Sequence, residues 1–532
     1  MAMGYRPVDR DQLFLLPADM NQWVPAGHLA RFVLDVVGQM DTSAFHRGRV
    51  IGGAGRAGFD PDMLVALLVY AYCQGVRSSR QIERLCEVDV AFMLLCARDV
   101  PDHTTIARFR AGHDEAFTEL MVAVLRLAAR AGVGRFGTVA VDGTKLAANA
   151  SLDVNRDEGW LREQAVRMVA EAAAADAVED VEFGDSRGDE LPPALADPST
   201  RAAAIRAALA ELEAQKRAAD EAAETAEAEP RNRAADMMRK LAAGEPTGPG
   251  KVRDQDGVEI ARLRLARAQE VQQAKIDRFQ ARRDAARQQD GLLPPAGRRP
   301  APVEDCFKVA QAREMLRRAV ERQARREQQR VQPQRPPLRV NVTDPQSRVM
   351  PTRQGWIQGY NVHLGVTADQ LIVAAQVSQH TVDYGQLVPM MAAVDKAAQL
   401  FQSEGRDDAV VGTLLADAGY ATNDNLKADG PNRLIALGSG RDQHRIATRE
   451  QAAGPPPGQA SPRQVMRHRL RTPEGAALYR QRGATVEPAI GNLKKIINRF
   501  SRRGLTAAAA EINLATTAFN LLKIYRTVAA TG

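Results

Sequence analysis

Five apolar runs of strand length, two of them carrying an aspartate at their end, constrain this chain more than any other feature. TVAVDGT (138–144) is short, apolar and ends in an acid. YNVHLGVTA (360–368) alternates apolar and polar residues as a half-buried strand does, and QLIVAAQVS (370–378) follows after a tight turn. AVVGTLLADAGY (409–420) is a buried strand that again ends in an acid, and RLIALG (433–438) is the fifth. Helical periodicity appears in GQLVPMMAAVDKAAQLF (385–401) and in VEPAIGNLKKIINRF (486–500). Once residues 151–335 are set aside as an insertion after the first strand, the order is strand, strand, strand, helix, strand, helix, strand, helix.

That order is the one found in the ribonuclease-H fold. The expectation is therefore an α/β chain with a ribonuclease-H-like core over 133–150 and 336–505, and a C-terminal helix over 506–532. At 532 residues the chain is long enough for two to four domains. Residues 1–132 read as all-helical. PDMLVALLVYAYCQGV (61–76) is a buried helix ending near Gly75, and SSRQIERLCE (78–87) opens a second with Ser78 and Gln81 spaced as a capping box. PDHTTIARFR (101–110) and FTELMVAVLRLAARAG (117–132) follow. Such short helices fit either a helix-turn-helix DNA reader or a plain bundle. The insertion 151–335 opens with an acidic stretch, twelve Asp/Glu against four Arg over 153–190. It continues as Ala/Glu/Arg/Gln-rich amphipathic or coiled-coil helices broken by Gly/Pro at 244–250 and 291–302. Its last helix, 311–330, holds seven Arg and three Glu and is the expected DNA-facing part of a helical arm.

A net charge of +7 points toward a polyanionic partner only weakly; its distribution is more telling. Residues 462–503 hold eleven Lys/Arg against two acids, Glu474 and Glu487. The four cysteines show no CxxC spacing, which predicts reduced, buried thiols. No apolar run approaches the ~18 residues that a membrane helix needs, and no signal-peptide core is present. A cytoplasmic, nucleoid-associated protein that contacts no membrane is expected.

In a ribonuclease-H order the first and fourth strands are neighbours, so Asp142 and Asp417 project from adjacent strand ends. Glu487, at the start of the last helix, would face the same edge. Three such carboxylates repel one another unless cations neutralise them. Oxygen ligands without nearby His or Cys favour Mg²⁺ or Mn²⁺, and two ions form a clamp for in-line displacement at phosphorus. Tyr479, Arg482, Glu487 and Lys494 fit the pattern Tyr-x2-Arg-x4-Glu-x6-Lys, which puts Glu487 and Lys494 on one helix face. Lys494, Arg482, Tyr479 and Lys145 are the candidate DNA-binding residues, with Asn149 a further possibility beside Asp142. IGGAGRAG (51–58) lacks the Lys-Ser/Thr of a phosphate loop and reads as a turn. His103 and His363 read as structural.

Taken together, LFLLPADMNQWVPAGHLARFVLDVV (13–37), GVRSSRQIE (75–83), PDHTTIARFR, VDGTKLAANAS (141–151), TDPQSRVM (343–350), QGYNVHLGV (358–366), ADAGYAT (416–422) and YRQRGATVEPAIGNLKK (479–495) resemble the insertion-sequence DDE transposases of the bacterial family numbered eleven-eighty-two. The resemblance implies catalysis by Asp142, Asp417 and Glu487 with two bound divalent ions. It also implies a Tyr-Arg-Glu-Lys signature at Tyr479, Arg482, Glu487 and Lys494. The gap from Arg482 to Glu487 is four residues here, where three is common among such enzymes. The implied partners are double-stranded DNA, namely the element's terminal inverted repeats and a target, and further copies of the chain in a paired-end complex. A nuclease of the same fold without strand transfer, and a domesticated DNA-binding protein without catalysis, are the rival readings.

Overall fold

The computed structural model describes residues 19, 22–47, 58–165, 198–245, 247, 252, 254–288, 299–330, 338–438 and 451–531. IGGAGRAG apart from Gly58, LFLLPADM apart from Asp19, residues 166–190 of the acidic stretch and most of the two Gly/Pro breaks lie outside them. The chain divides into two compact units.

The first unit comprises residues 1–156, 183–208 and 340–532. It begins with helices α1 (Leu29–Gln39), α2 (Ser43–His46), α3 (Pro61–Cys73), α4 (Ser79–Val88), α5 (Val90–Leu95), α6 (His103–Gly112) and α7 (Asp114–Arg130). Local chemistry sets their ends. Asp60 accepts from the Asp62 amide with Pro61 in the first turn, and Asp102 accepts from the amides of Thr104 and Thr105. Gly75 (φ +74°) and Gly132 (φ +71°) supply the left-handed residues that close α3 and α7. Ser78 does precede α4, but its side chain makes no capping hydrogen bond, so the expected capping box does not form. Helix α3 is buried on every side from Leu64 to Tyr72, as its all-apolar sequence requires.

After α7 comes β1 (Thr138–Ala147), and after the insertion β2 (Arg348–Thr352), β3 (Gly355–Thr367) and β4 (Ile372–Ser378). Then follow α11 (Leu387–Ser403), β5 (Thr413–Ala416), α12 (Asn423–Lys427), β6 (Arg433–Ile435), α13 (Pro462–Arg469), α14 (Pro473–Ile496) and α15 (Leu505–Thr531), while α8 (Pro198–Ala242), α9 (Asp254–Gln288) and α10 (Phe307–Arg330) lie between β1 and β2 in the chain. The mixed sheet runs β2-β3-β1-β5-β6, with β4 also paired to β3. β1 is antiparallel to β3 and parallel to β5, and β5 is parallel to β6. One apolar core joins the N-terminal helices, the sheet and α11, α14 and α15.

Three expectations change in detail. β1 continues to Ala147, so Asp142 sits within the strand and not at its end. β3 is buried on both faces from Gln358 onward, not half-buried, because helices cover the sheet on both sides. Helix α14 starts at Pro473, capped by Thr472, and carries Pro488 inside, so Glu487 lies in mid-helix.

The second unit, residues 157–182 and 209–339, holds the greater part of α8 (Pro198–Ala242), with α9 (Asp254–Gln288) and α10 (Phe307–Arg330), which pack together. Its apolar seams are thin: Ala234, Met237 and Ile260 form one, and Val258, Ala261 and Ala319 another. Arg317 and Arg318 of α10 are paired within the helix to Glu314, at 2.6 and 2.8 Å. No helix among the described residues is long and apolar enough to cross a membrane. All four cysteines are free thiols, two of them buried.

Candidate active site

The parallel ladder between β1 and β5 ends at the pair Val141–Ala416. Asp142, still within β1, and Asp417, just past the end of β5, are each the next residue along the chain, so register alone makes them neighbours. Asp417 caps a short 3-10 turn over Ala418–Tyr420, its Oδ1 accepting from the Gly419 amide at 2.9 Å. Asp142 Oδ1 accepts from the Gly143 amide at 2.9 Å, and its Oδ2 accepts from Arg482 Nη1 at 2.8 Å.

Burial pushes the Asp142 carboxyl up to about 6; Arg482 works against that rise and Asp417 adds to it. Burial also raises Asp417, with the charge of Asp383 reinforcing it. Two half-buried carboxylates thus share one strand edge with a single guanidinium between them and α14.

Helix α14 brings the basic segment to this edge. Tyr479 and Arg482 are three residues apart on one face. The Tyr479 phenol is pushed up to about 12 by burial, with Arg482 opposing and the two aspartates adding. Arg482 Nη2 lies 3.9 Å from Glu487 Oε1, so the guanidinium stands between Asp142 and Glu487. The Glu487 side chain is 70% exposed and curls back over Gly483, where a Cβ would meet its Oε1 at 3.4 Å. Lys494, two turns further, is exposed and lowered by partial burial of its ammonium.

Asp142, Asp417, Glu487, Arg482 and Tyr479 are therefore brought together, and Lys494 continues their helix. Lys145 is not at this edge in the same sense. Strand pleating turns it to the face opposite Asp142, where Nζ donates to the Pro351 carbonyl at 3.1 Å. Asn149 donates to the Ser501 carbonyl at 2.8 Å. The three acids do not close to within 4.8 Å of one another; among the described residues only His46, Asp60 and Asp62 do. That second cluster is a helix cap plus a 2.9 Å His46–Asp62 pair at the start of α3.

A fourth acid at the edge had no sequence signal. Asp383 lies in the loop between β4 and α11, and Asn361 Nδ2 donates to its Oδ1 at 2.8 Å. His363 is 3.9 Å from the same oxygen and is fully buried. Burial holds its imidazole down to about 4 against the pull of Asp383, so it is uncharged at neutral pH. Its Nδ1 pairs with the Tyr420 hydroxyl at 2.7 Å.

Residues 18–112 match a family model described as a transposase domain (DUF772), and residues 445–525 match one described as a transposase DDE domain. Together they support an insertion-sequence DDE transposase. The first match spans α1 to α6. The transposase DDE match takes in α13, α14 and most of α15, and with them Arg482, Glu487 and Lys494. DDE transposases generally use divalent metal ions. Comparison with curated proteins and with solved structures gave no match.

Proposed function

We propose that the chain is a DDE transposase with a ribonuclease-H-like core in which Asp142, Asp417 and Glu487 hold two divalent cations, Mg²⁺ or Mn²⁺. It would bind terminal inverted repeats, cut their 3′ ends by hydrolysis and join those ends to target DNA. The observation that carries the reading is the adjacency of Asp142 and Asp417 at the end of the β1–β5 ladder, with the Arg482–Glu487 segment of α14 across from them. The sheet order, antiparallel on one side of β1 and parallel on the other, supports the fold assignment.

The donor set suits a hard cation. It is all carboxylate oxygen, and burial has already raised two of its members, so positive charge at the edge would relieve a real cost. Bound divalent ions supply Lewis-acid polarisation of phosphate oxygens and charge neutralisation at the transition state. The chain's own residues do the rest. Asp142 and Asp417 orient the edge through their bonds to the Gly143 and Gly419 amides. Arg482 covers Asp142 until DNA arrives and can then turn its fork to a phosphate. Lys494, exposed on the same helix, meets the backbone as a point charge. Pairing of the two element ends calls for further copies of the chain.

Two expected outcomes test this reading. Below about pH 6 Asp142 carries a proton that a metal must displace, whereas above it the carboxylate is free. Mn²⁺ affinity should therefore fall by about tenfold per pH unit below that point and level off above it. A titration followed by electron paramagnetic resonance from pH 5 to 8 reads this, and a flat profile counts against Asp142 as a ligand. Second, Lys494→Ala should lower the salt slope of DNA binding by about one counterion, as loss of one phosphate contact predicts. Lys495 is the control: about 100° round the helix, its Nζ is paired with Asn492 Oδ1 at 3.0 Å. Equal slopes for the Lys494 and Lys495 variants would remove the significance of the Glu487–Lys494 spacing.

A further inference from the structure

We propose that Asp383 is a fourth carboxylate of the metal site, presented to Asp417 from the sheet face opposite Arg482 and set there by Asn361. The inference rests on the metal-dependent reading above and extends its ligand set. Strand alternation puts Gly143, His363, Asn361 and Gly365 on one face of the sheet, since Gly143 pairs with His363 and Lys145 with Asn361. Helix α11 covers that face, where a Cβ on Gly365 would meet Val394 and Met390. Asp142 and its partner Arg482 belong to the other face.

From the α11 side the Asp383 carboxylate reaches both acid-bearing segments at once. A Cβ on Gly143, the residue after Asp142, would stand 2.7 Å from Asp383 Oδ1 and 3.3 Å from Asn361 Oδ1. A Cβ on Gly419, in the turn that Asp417 caps, would stand 2.7 Å from Asp383 Oδ2 and 3.0 Å from Asp417 Oδ1. Both positions admit only glycine while Asp383 stays where it is. The glycines are thus what lets Asp383 approach the two segments that carry Asp142 and Asp417.

The surroundings supply acceptors and almost no donors. Asn361 is 1% exposed; it spends its amide on Asp383, and its Oδ1 has no partner among the described residues. No Lys or Arg pairs with Asp383 among the described residues, and His363 at 3.9 Å has its Nδ1 committed to Tyr420. The Asp383 side chain caps no helix, and it keeps 26% exposure, so an ion can reach it from solvent. A buried, unpartnered carboxamide oxygen beside the Asp383 carboxylate, with Asp417 next along the edge, is a donor set for a hard divalent cation.

The test uses the full chain and Mn²⁺ alone. Asp383→Asn should weaken Mn²⁺ binding by about tenfold or more, the loss that follows removal of a supporting ligand. Its DNA affinity should hold, and its cleavage should recover as Mn²⁺ is raised. Asp417→Asn is the control and should lose binding altogether. If Asp417→Asn loses Mn²⁺ and Asp383→Asn binds it as the unaltered chain does, the fourth-ligand proposal fails and the metal reading stands. If Asp417→Asn also binds normally, both fall. A second measurement avoids dependence on the variant's folding: carbodiimide amidation of the unaltered protein, mapped by mass spectrometry. Mn²⁺ should protect Asp383 together with Asp142 and Asp417, and modification of Asp383 unaffected by Mn²⁺ overturns the proposal.

Discussion

Asp142→Asn, Asp417→Asn or Glu487→Gln will each abolish Mg²⁺-dependent DNA cleavage, lowering the rate by at least about 10³-fold and leaving DNA affinity within about twofold. The size follows from the several kcal/mol that a bound metal contributes to charge stabilisation at phosphorus, at 1.36 kcal/mol per decade. Affinity survives because it comes mainly from cationic contacts to phosphates. The side chains differ in how much else they do. Asp142 is tied to Arg482 and to its own neighbouring amide, and Asp417 to the Gly419 amide, whereas Glu487 is mostly exposed. Glu487→Gln should therefore be the variant with the least effect on stability. Single-turnover cleavage beside a filter-binding titration reads both quantities. Metal-dependent cutting that persists in any one variant removes that residue from the triad.

The largest effect on stability should come from Glu511→Ala. Glu511 is 2% exposed and lies where α15 meets the N-terminal helices. It accepts from the Ser501 amide at 2.9 Å, from the Ser501 hydroxyl at 2.5 Å and from the Tyr72 hydroxyl at 3.4 Å, with Arg77 3.9 Å away. Arg110 completes the network through the Tyr72 hydroxyl and the Arg77 carbonyl. Truncation to Ala leaves the buried Tyr72 hydroxyl and the Ser501 amide without this acceptor and removes the carboxylate that faces Arg77, and should cost about 3 kcal/mol. Glu511→Gln keeps an acceptor and should cost clearly less. Urea unfolding distinguishes them by midpoint at constant slope; equal midpoints for the Ala variant and the parent would show that the network is not what joins these elements.

Five of the six sheet strands were legible because each is a compact apolar run with its own boundary, whereas β2 (RVMPT), which has no such run, was not expected; the two aspartates were legible because each follows an apolar run. Register then made them neighbours, which the chain order anticipated. The helix bearing Glu487 was legible in kind but not in extent. Pro488 looks like a first-turn proline and places the start near Val486, but the capping signal belongs to Thr472 and Pro473, fifteen residues before Pro488. Packing of Val486, Ala489 and Leu493 into the core holds α14 together through an interior proline that local propensity would forbid.

YNVHLGV was misjudged for a related reason. Asn361 and His363 give the run its alternation, yet they are buried polar groups on the covered face, facing Asp383 and Tyr420 and not solvent. Asp383 itself was invisible: a lone aspartate in TVDYGQ reads as a turn residue, and only the return of the chain from β4 to α11 sets it against Gly143 and Gly419. Lys145 shows the converse limit. Proximity to Asp142 along the chain puts it on the opposite face of the sheet, a consequence of the two-residue period of a strand.

The most direct test of the central claim is a strand-transfer assay with the purified chain. Donor duplexes carrying the inverted repeats from the DNA flanking its gene would be incubated with a target plasmid, with Mg²⁺ or with a chelator, and the products sequenced. The account predicts donor 3′ ends covalently joined to target DNA in Mg²⁺ only, and none from the Asp142→Asn chain. Cutting without joining would point to a nuclease of this fold, and tight binding of the repeats with no cutting in Mg²⁺ or Mn²⁺ would contradict the catalytic assignment outright.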